Sequence, residues 1–185
     1  AAADGPSAPR GINRQCVWPA AEHNVRTREY MSKRKPYEER TDLEKIQSQW
    51  HKLSGLQTRK EWSAVIVRAA TAAELAANFA IRKEFRSKST LSPKFVDSLL
   101  RWANGIAGKI DRLLMHLTAG ENRHKTIKNL KTVSEKINKK RNAVAHQGEF
   151  CNEAEAKASI QQSKEFIETL VQLYEPDFVL KERKH

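Results

Sequence analysis

The sequence predicts an all-α protein, an antiparallel helical bundle, and three observations support this fold class. Apolar residues recur every three or four positions through most of the chain after residue 40. No stretch alternates with period two for long enough to make a convincing strand. The connections between candidate helices are short, as they are between antiparallel neighbours in a bundle. The 185 residues suffice for one domain with a sizeable core plus extensions.

The chain divides into a helical domain at 41–176 and two extensions. Residues 1–40 show little periodicity and carry scattered arginines and several prolines, which is typical of a flexible basic arm: Pro6, Pro9, Pro19 and Pro36. The first residues include neither an initiator methionine nor an apolar h-region, so they indicate a fragment edge or a linker rather than a signal peptide. We expect 177–185 to be a short basic tail.

Two helices open the domain. Thr41 is a candidate N-cap and Gly55 a candidate stop for a helix with apolar positions at helical spacing: Leu43, Ile46, Trp50 and Leu53. A longer helix is expected over about 58–86. Its apolar stretch is interrupted by Arg68 and Glu74, so we expect a soluble protein and no membrane span.

A single helix is expected to run from Pro93 to about residue 118. Its apolar positions step by three and four: Phe95, Leu99, Trp102, Ile106, Ile110, Leu113 and Leu117. Gly105 and Gly108 each cost about 1 kcal/mol in a helix interior, so we expect a close backbone contact there, with a neighbouring helix rather than with a ligand. Trp102, like Trp50, is expected in the core or at an interface rather than as a base-stacking platform, because it lies on an apolar face.

Two more helices complete the bundle. A basic helix over about 121–142 has an apolar face made of four residues: Ile127, Leu130, Val133 and Ile137. The last helix begins at Asn152, whose capping box is completed by Glu155, and ends before Pro176. It is expected to bury Ile160, Ile167, Leu170 and Tyr174.

The net charge of +12 and the pI near 9.9 indicate a polyanionic partner, with nucleic acid as the leading class. Four lysines on or beside the polar face of the 121–142 helix are candidate RNA contacts: Lys128, Lys136, Lys139 and Lys140. The alternative is that this face is merely solvated.

Cys16 and Cys151 lie far apart and flank no histidine at metal-ligand spacing, so we expect two free thiols in a reducing, cytoplasmic compartment. Three further histidines form no metal-ligand constellation in the sequence: His51, His116 and His124. We therefore expect no metal site and no cofactor.

The stretch "RNAVAH", residues 141–146, places polar groups at the end of the basic helix. At about 100° per residue Arg141 shares the apolar face, so it points inward and needs a partner. The best candidate is Glu74, with Asn78 one turn further along the same face. Gly148 is a natural C-cap, so His146 lies at a helix end near the surface, one turn above Asn142. The Asn142 amide is then placed to orient the imidazole.

This stretch resembles the R-N-x-x-x-H signature of HEPN domains, all-helical domains named for higher eukaryotes and prokaryotes nucleotide-binding. The resemblance covers about 42–175, including a long helix with an internal acid and a final capped helix. Many members are metal-independent RNases of toxin–antitoxin, antiphage defence or RNA-processing systems. The resemblance gives the motif roles to Arg141, Asn142 and His146, and the supporting polar role to Glu74. Toxins of the family that are controlled by nucleotidyltransferase antitoxins have a tyrosine where this chain has Gly148.

The resemblance implies an endoribonuclease that cleaves RNA by attack of the 2′-hydroxyl. His146 would be the general acid or base and Arg141 would bind the charge that develops on the phosphorus oxygens. HEPN domains typically dimerise with two motifs facing one cleft, which implies a homodimer with a composite active site. An antitoxin or a larger defence complex is a further expected partner.

Two alternatives remain at this point. In the first, Arg141 and Glu74 only join two helices, and the helix dipole favours His146 at its position. In the second, the chain is a non-catalytic HEPN module that binds RNA or a protein partner.

Overall fold

The computed structural model describes residues 35–182, and the regular structure within this range is entirely helical. The all-α fold class is therefore confirmed. From Tyr37 onward the described chain forms one unit. Most of the expected basic arm, including Cys16 and Trp18, lies outside the described residues.

The helices are bounded as follows: α1 (Asp42–Thr58), α2 (Trp62–Lys88), α3 (Pro93–Trp102), α4 (Gly105–Lys109), a π-helical turn (Ile110–Leu114), α5 (Met115–Leu117), α6 (His124–Gln147) and α7 (Glu153–Gln172). The N-cap predicted at Thr41 and the capping box predicted at Asn152 are present, and Thr41 also forms a capping box with Glu44. The predicted stop at Gly55 is wrong, because α1 continues for three more residues. That extra turn places Leu56 against the core, which outweighs the cost of about 1 kcal/mol for glycine in a helix.

Helix α2 is central, and the contacts along it define the directions of its neighbours. Asp42, at the start of α1, binds Arg82 near the end of α2, while Gln49, in the middle of α1, binds Arg68 near the start of α2. Helix α1 therefore runs antiparallel to α2. The side of α2 that faces its neighbours is rich in alanine, and seven buried alanines let other helices approach closely: Ala69, Ala70, Ala72, Ala73, Ala76, Ala77 and Ala80.

Helices α6 and α7 complete the bundle with opposite directions. The backbone N–H of Cys151, just before α7, donates to Ser63 near the start of α2, and Tyr174, just after α7, donates to Glu84 near its end. Helix α7 is therefore parallel to α2. Helix α6 runs antiparallel to both, because Arg123 before its start lies beside Glu84. This is the up-down alternation of sequential helices in a bundle.

The helix expected over 93–118 is interrupted, which corrects that prediction. The break lies at Asn104 and Gly105, which have φ angles of 31° and 70°. A Cβ on Gly108 would lie 2.0 Å from the carbonyl oxygen of Ala103, so only glycine fits there. A Cβ on Gly105 would lie 2.8 Å from Oδ1 of Asn138 on α6. The expected contact with a neighbouring helix is thus present at Gly105, whereas Gly108 contacts its own preceding turn.

The break also changes which residues are buried. Trp102 is 63% exposed, which rules out the core as its place in this chain, whereas Trp50 is 4% exposed. Helix α3 turns Val96 and Leu100 into the core instead. Because α4 starts in a new direction, the apolar positions of the two segments do not form one continuous surface. Trp102 packs against the guanidinium of Arg112, 5.4 Å from the ring centre.

The residues after α7 fold back onto the bundle as far as residue 182. Leu180 is buried, and its backbone N–H donates to Glu168. Lys181 and Gln47 exchange two hydrogen bonds between backbone and side chain. Part of the expected C-terminal tail therefore contributes to the core.

By length and composition alone α2 is apolar enough to cross a membrane. In this fold 61% of the apolar window is buried inside the protein. Core helices of globular proteins meet the same criterion, so the hydropathy of α2 is accounted for by its central place in the bundle.

Candidate functional site

Helix α2 carries a line of polar side chains on an otherwise apolar surface. Glu74, Asn78 and Arg82 are spaced by four residues, so they lie one above another along about 12 Å of the helix. Polar groups inside a bundle need partners. Glu74 and Arg82 bind residues of other helices, whereas Oδ1 of Asn78 has no hydrogen-bond partner among the described residues.

Arg141 of α6 lies beside Glu74, as the sequence predicted. Its Nη2 is 3.9 Å from Oε2 of Glu74, which is an ion-pair distance but too long for a hydrogen bond. Its Nη1 donates to Oδ1 of Asn142 at 2.8 Å. The guanidinium has five N–H donors, so this arrangement leaves most of them available to an anion.

His146 completes the group that we call the Arg141 cluster: Glu74, Arg141, Asn142 and His146. Gly148 ends α6 in the left-handed conformation with φ of 70°, as predicted, and the side chain of His146 is exposed. Its Nε2 lies 3.4 Å from Nη1 of Arg141. Arginine can only donate, so in a hydrogen bond between these two groups Nη1 is the donor and Nε2 of His146 the acceptor.

Asn142 has a different partner from the one expected. The sequence suggested that its amide orients the His146 ring, but its Oδ1 accepts from Arg141 instead. A long arginine side chain can wrap back to the next residue, whereas a short asparagine cannot easily span a helical turn. Asn142 therefore orients the guanidinium, and the guanidinium contacts the imidazole.

Lys109 is a member of the site that was not predicted from the sequence. Its side chain is 7% exposed, and its Nζ donates to Oε1 of Glu74 at 2.5 Å. A signal was present, because Lys109 lies between the apolar positions Ile106 and Ile110 on one helical face. A lysine that is buried at such a position needs an acidic partner. Glu74 therefore links two cations, Lys109 and Arg141.

The lysines proposed as RNA contacts fall into two groups. Lys128, Lys136 and Lys139 are exposed and form no ion pair with any residue between 35 and 182. Lys140 is held by Glu149 at 2.6 Å and Glu155 at 2.7 Å. These two hydrogen bonds raise the pKa of Lys140, and the bond from Lys140 is the main reason why the pKa of Glu155 is lowered.

Within residues 35–182, one group of three side chains has the spacing of metal ligands: Glu149, Cys151 and Glu155. The ammonium of Lys140 already binds both carboxylates of this group. The cluster therefore has a cation of its own and joins the end of α6 to the start of α7.

A second ionic cluster lies near the C-terminal end of α2, around Glu84, which is fully buried. Tyr174 donates to Oε1 of Glu84 at 2.6 Å, and Nε of Arg123 lies 3.0 Å from the same oxygen without good hydrogen-bond geometry. Lys88 lies 2.9 Å from Oε2, also poorly aligned, and Glu121 binds both cations. Burial, and then the bond to Glu84, raise the pKa of Tyr174.

No family model, no curated protein and no solved structure matches this chain. The case for a function therefore rests on the chemistry of the Arg141 cluster, on the exposed lysines and on the resemblance of the motif.

Proposed function

We propose that this protein is a metal-independent endoribonuclease of the HEPN type. One observation carries the proposal: an exposed imidazole and a guanidinium with free donors lie 3.4 Å apart at the end of α6. This pair combines a proton acceptor with a binder of phosphate oxygens. The all-helical bundle around it agrees with a HEPN-like architecture.

The proposed reaction is an internal transesterification of RNA. His146 removes the proton from the 2′-hydroxyl, whose oxygen forms a bond to the adjacent phosphorus. The bond from phosphorus to the 5′-oxygen breaks, and an acid delivers a proton to the leaving oxygen. The products are a 2′,3′-cyclic phosphate and a 5′-hydroxyl. The side chains on hand are suited to this chemistry, because histidine changes charge near neutral pH.

Arg141 stabilises the transition state in this proposal. Negative charge gathers on the equatorial oxygens of the phosphorane, and the free N–H groups of Arg141 donate to them. Glu74 and Asn142 hold the guanidinium in place through the contacts described above. Loss of one such donor typically reduces the rate about 10²- to 10³-fold.

A second imidazole is needed on the opposite side of the phosphorus, because one histidine cannot easily act as base and acid in the same step. The proposal therefore includes a symmetric homodimer in which two copies of His146 face one cleft. The exposed side chains of Lys128, Lys136 and Lys139 would hold the RNA backbone, as phosphate contacts do in sequence-independent binding.

The test is cleavage of total RNA by the purified protein in EDTA, compared with His146→Ala and Arg141→Ala. We expect the wild type to leave 2′,3′-cyclic phosphate or 3′-phosphate ends and both variants to cleave at least about 10²-fold more slowly. His116→Ala is the matched control, because His116 is also an exposed histidine near a helix end. Equal activity in His146→Ala would end the catalytic assignment, and full dependence on Mg²⁺ would end the mechanism.

The exposed lysines of α6 also favour a second candidate, a non-catalytic module that binds RNA. Such a protein would bind RNA with strong salt dependence and would never cut it. A wild type that binds but yields no new RNA ends in the same assay would select this candidate.

A further inference from the structure

A polar cavity of about 470 Å³ opens beside the Arg141 cluster. Its wall includes the polar line of α2 and residues around the break between α3 and α4: Glu74, Asn78, Arg82, Asp97, Leu100, Arg101, Asn104 and Lys109. The volume is within the range of small-molecule sites. Glu74 and Lys109 belong both to this wall and to the ion pairs of the cluster.

Asn78 has an unmet hydrogen bond in this wall. Its Oδ1 is shielded from solvent and has no hydrogen-bond partner among the described residues. An unpaired buried acceptor costs about 1–3 kcal/mol. The terminal torsion of asparagine is broad, so a half-turn of the amide presents either Oδ1 or Nδ2 to the cavity. The site can therefore accept an N–H group from a ligand.

The remaining polar groups of the wall are three cations, two carboxylates and one amide: Arg82, Arg101, Lys109, Glu74, Asp97 and Asn104. Arg101 is exposed, and its contact with Ser98 uses only one of its donors. Arg82 and Lys109 are bound to carboxylates. Leu100 adds an apolar surface. The wall thus combines an acceptor without a partner, an arginine with spare donors and an apolar patch, which matches the edge and face of a nucleobase.

We propose that this cavity binds a guanine base of the RNA next to the scissile phosphate, an inference that rests on the proposed function. Guanine presents N–H donors at N1 and N2 and acceptors at O6 and N7. Asn78 accepts from the N–H edge, and Arg101 donates to the acceptor edge. Because Glu74 touches both the cavity and Arg141, the neighbouring phosphate would lie at the Arg141 cluster.

The binding test uses 2′-O-methyl adenosine octamers, which lack the attacking hydroxyl, with and without one guanosine at the centre. We expect the guanosine octamer to bind the wild type about 5- to 100-fold more tightly, and Asn78→Ala to remove this preference. Arg101→Gln should reduce it. Asn122→Ala is the matched control, because Asn122 is exposed in the turn before α6 and should keep the preference.

Thermal unfolding separates this role from a structural one. Asn78→Ala should unfold at the same temperature as the wild type or higher, because alanine favours the helix and no buried acceptor is left unpaired. A large drop in unfolding temperature would show that Asn78 supports the fold and would overturn the inference.

Different results would overturn the cavity assignment and the proposed ribonuclease function. Equal binding of the two octamers, or a guanosine preference that survives in Asn78→Ala, overturns the cavity assignment even if the wild type cleaves RNA. A guanosine preference that depends on Asn78 supports the assignment even if no cleavage occurs. The last arm of the experiment measures the binding of free GMP. If GMP binds tightly while the two octamers bind equally, the ligand is a free nucleotide and the RNA assignment is overturned.

Discussion

Two glutamates on α2 face different environments, and the contrast between them separates structure from function in this protein. Glu84 is fully buried, whereas the side chain of Glu74 is 26% exposed. They are ten residues apart, about 15 Å along the helix, and project from different faces. Each has cationic neighbours, but only Glu84 has them at short distance on every side.

In the cluster around Glu84, the charged side chains contact one another at short distances. Tyr174 and Arg123 lie within 3.0 Å of one carboxylate oxygen, and Lys88 lies 2.9 Å from the other. Around Glu74, by contrast, Lys109 binds closely but Arg141 stays at 3.9 Å. A cation that is not bound by its own protein keeps donors for a ligand. Substitutions around Glu74 and around Glu84 should therefore have different consequences.

The largest expected effects come from replacing Arg141, beside Glu74, and Arg123, beside Glu84, with alanine in separate variants. Arg141→Ala should reduce RNA cleavage about 10²- to 10³-fold and leave the free energy of unfolding nearly unchanged, because its ion pair is long and partly exposed. Arg123→Ala should reduce the free energy of unfolding by about 3 kcal/mol, because the buried Glu84 carboxylate is deprived of a partner. Initial cleavage rates and urea denaturation measure the two effects.

Arg59→Ala is the control for both assays, since Arg59 is an exposed arginine at the end of α1 that pairs with Glu61. The contrast would be broken if Arg141→Ala unfolded at a much lower urea concentration, or if folded Arg123→Ala lost its activity.

A smaller effect is expected from Tyr174→Phe, which removes the hydroxyl that donates to buried Glu84. The free energy of unfolding should fall by about 1–3 kcal/mol, the cost of leaving a buried acceptor short of a partner. Tyr37→Phe is the matched control, because Tyr37 is 38% exposed and accepts one long bond from Gln49. We expect the control to change stability by less than about 0.5 kcal/mol.

The same residue should make stability depend on alkaline pH. The pKa of Tyr174 is raised by burial and by the bond to Glu84, so the folded state holds its proton more tightly than the unfolded state does. Its contribution to stability is therefore present below the ordinary pKa near 10 and falls as the pH rises above it. Tyr174→Phe should lack this part of the alkaline loss in denaturation curves. Identical curves for the two proteins would contradict the assignment.

The smallest expected effect extends the contrast to the lysines of α6. Replacing Lys128, Lys136 and Lys139 together with glutamine should weaken binding to unrelated single-stranded RNAs. The slope of log affinity against log salt should fall by about 0.7 for each phosphate that the variant no longer neutralises. Lys140→Gln should change the slope less, because Glu149 and Glu155 hold that ammonium.

A charge-matched triple variant controls for net charge: Lys52, Lys94 and Lys157 to glutamine, all exposed lysines on other helices. If the control flattens the salt dependence as much as the α6 variant does, the RNA path is not on the α6 face.

Local patterns in the sequence determined much of the bundle and part of the site. The caps at Thr41, Asn152 and Gly148 depend on residues within one turn of each other, so their spacing alone was informative. Helical periodicity likewise predicted that Arg141 lies beside Glu74, because both residues lie on core-facing stripes of long, regular helices.

Contacts between distant residues decided the rest. The break at Asn104 depends on two close contacts, of Gly105 with Asn138 and of Gly108 with Ala103. The sequence predicted a contact of these glycines with a neighbouring helix, but it did not identify Asn138 as the partner. The exposure of Trp102, the pairing of Lys109 with Glu74 and the cavity beside Asn78 all follow from where that break directs the chain. Periodicity specifies the face of a helix on which a side chain lies, but the residue that meets it across the bundle is specified by packing, which joins positions far apart in the sequence.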